Sequence, residues 1–205
     1  MKPRNRAIMF IMALVLVIFS GACSSRPFLK VQYQLPSQSK ELEGRVVFVS
    51  IKDKRNSGAF LGENAKKSFE EFNDTFSLVV LRKDGTGDLV GAYELFPLLK
   101  EIFKQRLAYV GAEMTEDPTV MTDAELEIEL EVFQLDLVDR NWVIHMIYRA
   151  NLRKGGRVLS METISGSAER LKVIGNSEAE KILGEILSDM VNKLDVVRLF
   201  QQAGL

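Results

Sequence analysis

Residues 124–154 carry the pattern that decides the fold, AELEIELEVFQLDLVDRNWVIHMIYRANLRK. The first half alternates leucine, isoleucine or valine with glutamate, and a second alternating run begins at Trp142. A period of two residues is typical of a β-strand that buries one face and leaves the other in water. A polar break at 139–141 separates the two runs, so the stretch predicts an antiparallel hairpin.

The register of this hairpin can be predicted from its two faces together. With a three-residue loop Asp139–Asn141, apolar residues face each other on the buried side, and glutamates face arginines on the wet side. The predicted pairs are Val132–Tyr148, Leu130–Ala150 and Ile128–Leu152 on the buried face, and Glu131–Arg149 and Glu127–Arg153 on the wet face. A third strand over 158–169 follows the Gly155-Gly156 turn and completes a meander.

Strand and helix patterns alternate in the rest of the chain. The segments RVVFVSI at 45–51, which reads as buried on both faces, and FSLVVL at 76–81 predict two strands. Apolar residues recur at helical spacing over 93–109 and 178–194, the second run opening on a capping box of Ser177 and Glu180. The predicted fold class is α+β: an antiparallel or mixed sheet of about four to six strands with two main amphipathic helices packed on one face.

The first 22 residues have the features of an export signal. Three basic residues precede an apolar run over residues 7–18, shorter than the roughly 20 residues that a transmembrane helix needs. The segment Phe19-Ser20-Gly21-Ala22-Cys23 then resembles a bacterial lipobox, with Ser20 in the place of the usual leucine. In that motif the cysteine is lipidated and becomes the mature N-terminus. The alternative is a plain secretory signal with an incidental cysteine.

Processing at the lipobox predicts the domain organisation. Residues 1–22 form the signal peptide, residues 23–42 the lipid anchor and tether, and residues 43–205 a single periplasmic domain. Within the tether, the alternation of Leu29, Val31 and Tyr33 with polar residues is compatible with a short strand. Cleavage removes three basic residues and no acidic one, so 24 basic residues face 28 acidic ones and the formal charge changes from −1 to −4. By resemblance to lipoproteins of enteric bacteria, Ser24 implies the outer membrane. The expected product is attached to that membrane by its lipid and faces the periplasm.

Composition argues against several functional classes. A chain with 46% hydrophobic residues and a near-balanced charge is neither disordered nor a general nucleic-acid binder. One histidine and one cysteine leave no zinc-ligand spacing. We therefore expect no metal, no cofactor and no nucleic-acid partner.

Two motifs resemble catalytic elements only weakly. His145, the single histidine, lies in mid-strand without a nucleophile motif, so a partly buried strand histidine is favoured over a catalytic one. Gly85, Gly87 and Gly91 follow a strand, but their spacing matches neither a Rossmann motif nor a P-loop, which favours a flexible turn.

Two charged motifs leave alternatives open. Asp53 and Arg55 follow a predicted central strand, where they form either a local ion pair that organises the turn or a site for an anion or a partner. The glutamate row over 125–131 places its carboxylates about 7 Å apart along one face, which is too dispersed for a tight metal site. A solvated, charge-paired sheet face is favoured for this row.

A partner surface is predicted at the Asp139–Asn141 end of the hairpin. There the wet face carries apolar residues too, which indicates that it is covered by another protein. The predicted interaction residues are Phe133, Leu135, Leu137, Val143, His145 and Ile147. The alternative is a β-bulge near Phe133, or coverage by the tether, that turns part of this set inward.

Six features together resemble the YajG-type lipoproteins of Gram-negative bacteria over most of residues 15–200. They are the lipobox, the strand ending in Asp53-x-Arg55, the helix closing at Tyr109-Val110-Gly111, the acidic alternating strand, the Ser165-Gly166-Ser167-Ala168 segment and the final helix. The resemblance implies a lipid-anchored periplasmic α/β domain with no established activity and no catalytic motif to transfer. In layout alone, the chain is also similar to accessory lipoproteins of envelope machines, including those of lipid-transporting ABC systems.

The sequence favours a non-enzymatic envelope lipoprotein that acts through contacts with an envelope protein in the periplasm. The alternative is a lipid- or solute-binding auxiliary lipoprotein of an envelope ABC-type transporter. A continuous apolar cleft of several hundred Å³ would favour the carrier, and a filled core would favour the interaction module.

Overall fold

The computed structural model describes residues 27–117, 119–173 and 175–205. The predicted signal peptide and Cys23 lie outside these residues. The strands are β1 (Phe28–Gln34), β2 (Val46–Asp53), β3 (Thr75–Leu81), β4 (Gly87–Tyr93), β5 (Glu113–Thr115), β6 (Ala124–Val138), β7 (Asn141–Lys154) and β8 (Arg157–Leu171). The helices are α1 (Glu63–Lys66), α2 (Leu95–Tyr109), α3 (Ser177–Lys193) and α4 (Val196–Gln202). Two mixed sheets with helices confirm the predicted α+β class.

The larger sheet has the strand order β5-β2-β6-β7-β8. The pairs β6–β7 and β7–β8 are antiparallel, as the meander predicts, whereas β2 runs parallel to both of its neighbours. Helices α2 and α3 pack on one face of this sheet, which we call the inner face; the opposite face is the outer face. The prediction that β2 is buried on both faces is wrong, because Val47 and Val49 are buried on the inner face while Phe48 and Ser50 are partly exposed.

The smaller sheet has the order β1-β3-β4, with β1 parallel to β3. Strand β1 lies inside the segment that was predicted as tether, residues 23–42, yet Leu29, Val31 and Tyr33 are fully buried. The packed domain therefore begins before residue 43. Apolar residues at every second position make β1 part of the packed domain, because burying one face of β1 against the helices removes three large side chains from water.

Helix α3 lies along the free edge of β1. The backbone N–H of Lys30 donates to the Glu180 carboxylate at 2.9 Å, and that of Gln34 donates to Ser188 Oγ at 2.8 Å. Gly184 permits the close approach, because a Cβ there would lie 2.6 Å from the Gln32 carbonyl oxygen. The predicted capping box is wrong: Asn176 is the N-cap residue, and Glu180 bonds the strand edge instead of its own helix start.

A single apolar core fills the space between the sheets and the helices. Its largest fully buried side chains include Trp142, Tyr33, Tyr148 and Phe103. The Tyr148 hydroxyl donates to the Met190 carbonyl oxygen at 2.9 Å, which links β7 to α3 in the interior. Burial raises the pKa of both tyrosines well above the ordinary range, so both hydroxyls stay protonated and act as hydrogen-bond donors.

The register of the β6–β7 hairpin differs from the prediction. The loop contains two residues, Asp139 and Arg140, both with positive φ, as in the tight turn that matches strand twist. The register also shifts between Leu130 and Val132, so Glu131 is the extra residue of a β-bulge. Because the shorter loop and the bulge each move the pairing by one residue, Ala150 faces Ile128 rather than Leu130, and Arg149 faces Glu129 rather than Glu131.

Candidate functional site

The bulge at Glu131 divides the predicted interaction residues between the two faces. Phe133 and Leu135 are fully buried on the inner face, and Leu137 is partly buried beside them. These three residues do not lie on the wet face, and the alternative prediction, a β-bulge near Phe133 that turns part of the set inward, is confirmed. Val143 and Ile147 are half-buried and His145 is exposed on the outer face. An extra residue reverses the alternation of side chains, which is why the odd-numbered residues after the bulge turn inward.

The segment after β2 covers the residues that turn inward. Phe133 packs against Phe60 with ring centroids 5.0 Å apart. The Leu135 N–H donates to the Phe60 carbonyl oxygen at 2.9 Å, and the Gly62 N–H donates to the Leu135 carbonyl oxygen at 2.8 Å. Residues 60–62 thus extend the sheet beside the end of β6. The apolar stripe of β6 is part of the core.

An exposed patch remains on the outer face around His145. In the register, His145 lies between Gln134 of β6 and Ser167 of β8, and Ile147 lies between Val132 and Ser165. His145 has no nucleophile motif beside it, and its side chain is more exposed than predicted. The patch is flat and weakly apolar, with small polar side chains on the β8 side, which suits contact with a protein surface better than catalysis.

Strand β8 is a long edge of the larger sheet. All of its 15 residues except Leu159 pair with β7, and the topology of the described residues places no strand on its other side. Val158, Leu159 and Met161 near its start are exposed, at 47%, 40% and 56%. Natural sheets usually shorten such an edge or protect it with charges, proline or a bulge. Strand β8 has a bulge at Leu159 near its start, and it contains no lysine or proline.

The glutamate row of β6 forms ion pairs on the outer face. Glu127 is almost fully buried there, with its carboxylate 2.5 Å from Lys52 Nζ and 2.9 Å from Arg153. Arg149 reaches Glu131 at 3.0 Å. The two predicted charge pairs thus form, although diagonally instead of directly across the strands. Among the described residues no group of three or more histidine, cysteine, aspartate or glutamate side chains could hold a metal ion.

Asp53 and Arg55 form the local ion pair that was one of the two alternatives for this loop. Arg55 Nε and Nη2 donate to the two Asp53 carboxylate oxygens at 2.9 and 3.0 Å. The hydrogen bond from the Arg55 side chain lowers the pKa of Asp53. The Arg55 side chain is only 6% exposed, and its Nη1 finds no hydrogen-bond partner among the residues that the structure describes.

Beside Arg55 lies a groove of about 730 Å³, which was not predicted from the sequence. Its walls come from segment 58–76 and the start of α2. The aromatic lining residues are Phe60, Phe69, Phe72, Phe76 and Phe96. Segment 58–76 mostly lacks regular periodicity, so the one available signal was that four of the 12 phenylalanines lie between residues 60 and 76.

The glycines at 85–91 are accounted for by a hairpin. The Asp84 carboxylate accepts hydrogen bonds from the Thr86 N–H and hydroxyl at 2.9 and 2.6 Å, and Gly85 has a positive φ. Gly87 and Gly91 then belong to β4, which pairs antiparallel with β3. The predicted turn is present, and it leads into a strand that was not predicted.

No helix within the described part of the chain is both long enough and apolar enough to cross a bilayer.

Three solved structures resemble this chain in fold. Protein XCC0632 from Xanthomonas campestris, of family model DUF330, has a TM-score of 0.55 and 12% identity, covering 86% of this chain and 97% of that one. A proposed neuraminyllactose-binding hemagglutinin homolog from Helicobacter pylori has a TM-score of 0.42 and 10% identity, covering 82% and 92%. The PelC dodecamer from Paraburkholderia phytofirmans has a TM-score of 0.33 and 12% identity, covering 77% and 92%.

Comparison at the level of sequence gives no assignment. No family model and no curated protein matches the chain. The TM-scores of the hemagglutinin homolog and of PelC are too low to support an argument. What is shown is a fold shared with XCC0632, a bacterial protein of family model DUF330.

Proposed function

We propose that this protein is a non-enzymatic lipoprotein of the Gram-negative envelope, anchored by lipid on Cys23 in the outer membrane and facing the periplasm. In this proposal it is an interaction or accessory module that binds an envelope protein. The lipobox and the YajG-type sequence features support the anchor. The fold shared with a DUF330 protein is compatible with this assignment.

The unpaired edge of β8 is the observation that carries the binding role. An extended segment of a partner can add to this edge as a further strand, since no strand of the described ranges 27–117, 119–173 and 175–205 lies beside its backbone N–H and C=O groups. The small outer-face residues Ser165 and Ser167 leave room next to Ile147 and His145. A partner with apolar side chains at alternate positions would reach Ile147 across Ser165.

The anchor is tested by the variant Cys23→Ala. It should leave the membrane fraction and lose labelling by a palmitate analogue, because the lipid is the only proposed membrane attachment. Wild-type protein expressed at the same level is the control. Unchanged labelling of the variant would exclude the lipobox.

The binding surface is tested by quantitative mass spectrometry of co-purified envelope proteins. The double variant Ser165→Lys and Ser167→Lys adds charge to the exposed outer face of β8, and it should lose a specific partner that the wild-type protein retains. The control variant Ser37→Lys replaces one serine by lysine on an exposed loop after β1, and it should retain the partner. Equal partner recovery from the double variant would contradict the proposed surface.

A second function, lipid or solute carriage for an envelope ABC-type transporter, is favoured by one observation. The groove beside Arg55 has a volume of about 730 Å³, within the range of small-molecule sites, and a partly aromatic wall. The core is otherwise filled by large side chains, which favours the interaction module. The occupant of the groove distinguishes the two functions.

A further inference from the structure

The groove beside Arg55 exposes part of an aromatic cluster. Phe60 and Phe76 form its buried floor, with ring centroids 5.1 Å apart in an edge-to-face arrangement. Phe69, Phe72 and Phe96 are only partly buried and form the walls. Aromatic walls at an opening to water favour a flexible apolar occupant such as an acyl chain.

Arg55 supplies a hydrogen-bond donor without an added charge. Its positive charge is balanced by the two-point pair with Asp53, and Nη1 is the nitrogen left without a partner among the described residues. The guanidinium lies beneath the Phe96 ring, 5.4 Å from the centroid. A neutral carbonyl oxygen would satisfy Nη1 once the partly exposed Phe96 turns aside, whereas a carboxylate would bring an unbalanced negative charge.

The rim of the groove also disfavours an anionic ligand. Glu70, Asp74 and Glu94 line it, against Lys66, which itself pairs with Glu63 at 3.0 Å. A free fatty acid or an anionic phospholipid head group would face net negative charge at this opening. The chemistry that fits is therefore an uncharged ester or amide that carries an acyl chain.

Pro27, the first residue that the structure describes, lies at the same rim. The Pro27 carbonyl oxygen accepts a hydrogen bond from the Asn73 N–H at 3.1 Å, and Asn73 lines the groove. Four residue steps separate Cys23 from Pro27, which limits their separation to roughly 14 Å even for a fully extended chain. A lipid on Cys23 is thus confined to the neighbourhood of the groove.

We propose that the groove holds one acyl chain of the lipid on Cys23, with an ester or amide carbonyl of that lipid accepting a hydrogen bond from Arg55 Nη1. The proposal rests on the proposed lipid anchor. The remaining acyl chains stay available for the bilayer, and two of them suffice for stable attachment. The groove shields the bound acyl chain from water and holds the domain close to its anchor.

A photoreactive residue in the groove tests this proposal on the mature protein in bilayer vesicles. Phe72→benzoylphenylalanine should form an intramolecular cross-link to the acylated N-terminal peptide, which mass spectrometry identifies by the lipid mass. Attachment at such short range presents the acyl chain at roughly millimolar effective concentration, so the product should exceed any cross-link to bulk lipid. Met161→benzoylphenylalanine, on the exposed side of β8, is the matched control and should not give it.

A groove-filling variant shows whether the cross-link requires the groove itself or only the short distance between Cys23 and position 72. Ala59→Trp, which adds a large ring to the lining, should reduce the cross-link from position 72 by about tenfold while the circular dichroism spectrum is unchanged. Cross-links to bulk phospholipid alone would overturn the proposal and favour the carrier. If the protein carries the palmitate-analogue label but forms no cross-link, the proposal that the groove holds an acyl chain is overturned and the lipid anchor is retained. If the protein carries no label, both the lipid anchor and the groove proposal are overturned.

Discussion

Glu127 shows how a single residue organises the outer face of the larger sheet. It lies on the wet side of an alternating strand, yet it is only 3% exposed, since Lys52 and Arg153 close over its carboxylate. Burial alone would raise the pKa of Glu127, but the hydrogen bonds from these two cations outweigh burial and lower it. The charged form is therefore the form that the fold stabilises.

Glu127→Gln should reduce the acid sensitivity of the fold. Because the folded pKa lies below the unfolded value of about 4.3, ionised Glu127 contributes stability above that pH and loses it as the pH falls through the folded pKa. The variant should cost about 1–3 kcal/mol at pH 7 and show a shallower decline below pH about 4. Urea unfolding at several pH values measures this. Glu131→Gln, at the more exposed pair with Arg149, is the control and should change little; equal effects of both variants would contradict the account.

At the scale of elements, the bulge in β6 decides which apolar residues are available to a partner. Leu135→Glu should destabilise the protein by roughly 3 kcal/mol or more, because it buries an unpaired charge next to Phe60. Ile147→Glu, on the half-exposed outer face, should stay within about 0.5 kcal/mol. Chemical denaturation of both variants checks this. Similar stability of the two would mean that the bulge is not where the structure places it.

The alternation of β6 and β7 predicted the strands, and a bulge near Phe133 was one of the alternatives that the pattern left open. The apolar positions Leu126, Ile128, Leu130 and Val132 are even-numbered, whereas Phe133, Leu135 and Leu137 are odd-numbered. That change of phase is the sequence signal of an inserted residue, although it fits a second apolar face equally well. The long strands, the two main helices and the charge-paired face could thus be predicted from local periodicity, whereas β4, β5 and the two short helices were not.

The groove and the position of β1 could not be predicted in the same way. Strand β1 pairs in parallel with β3. The alternation of Leu29, Val31 and Tyr33 indicates a strand, but it does not indicate which strand is its partner. The groove brings Arg55, Phe72 and Phe96 together from separate segments. Parallel pairing and groove walls depend on contacts between distant residues, which local periodicity does not record.

At the scale of the molecule, the N-terminal strand belongs to the folded unit. Sheet, helices and β1 share one core, so residues 26–205 should unfold in a single transition. The segment contains no cysteine, so neither a chelator nor a reducing agent should shift the melting temperature. Calorimetry with and without each reagent measures this. A fall of several degrees in chelator would reveal a metal that the account does not include.

The two proposed functions lie on different parts of the chain. Pro27 and the groove lie together beside segment 58–76, while β8 forms the opposite edge of the larger sheet from β5. Membrane attachment and partner binding can therefore occur together. A variant of one surface should leave the other unaffected.

In-cell photo-cross-linking from the free edge of β8 tests the central claim most directly. Ser167→benzoylphenylalanine should give a discrete adduct with one envelope protein, identified by mass spectrometry, because the exposed outer face beside His145 would lie against the partner. The same residue at position 37 should not give that adduct. A protein that is anchored and folded but forms no specific adduct from position 167 would contradict the account.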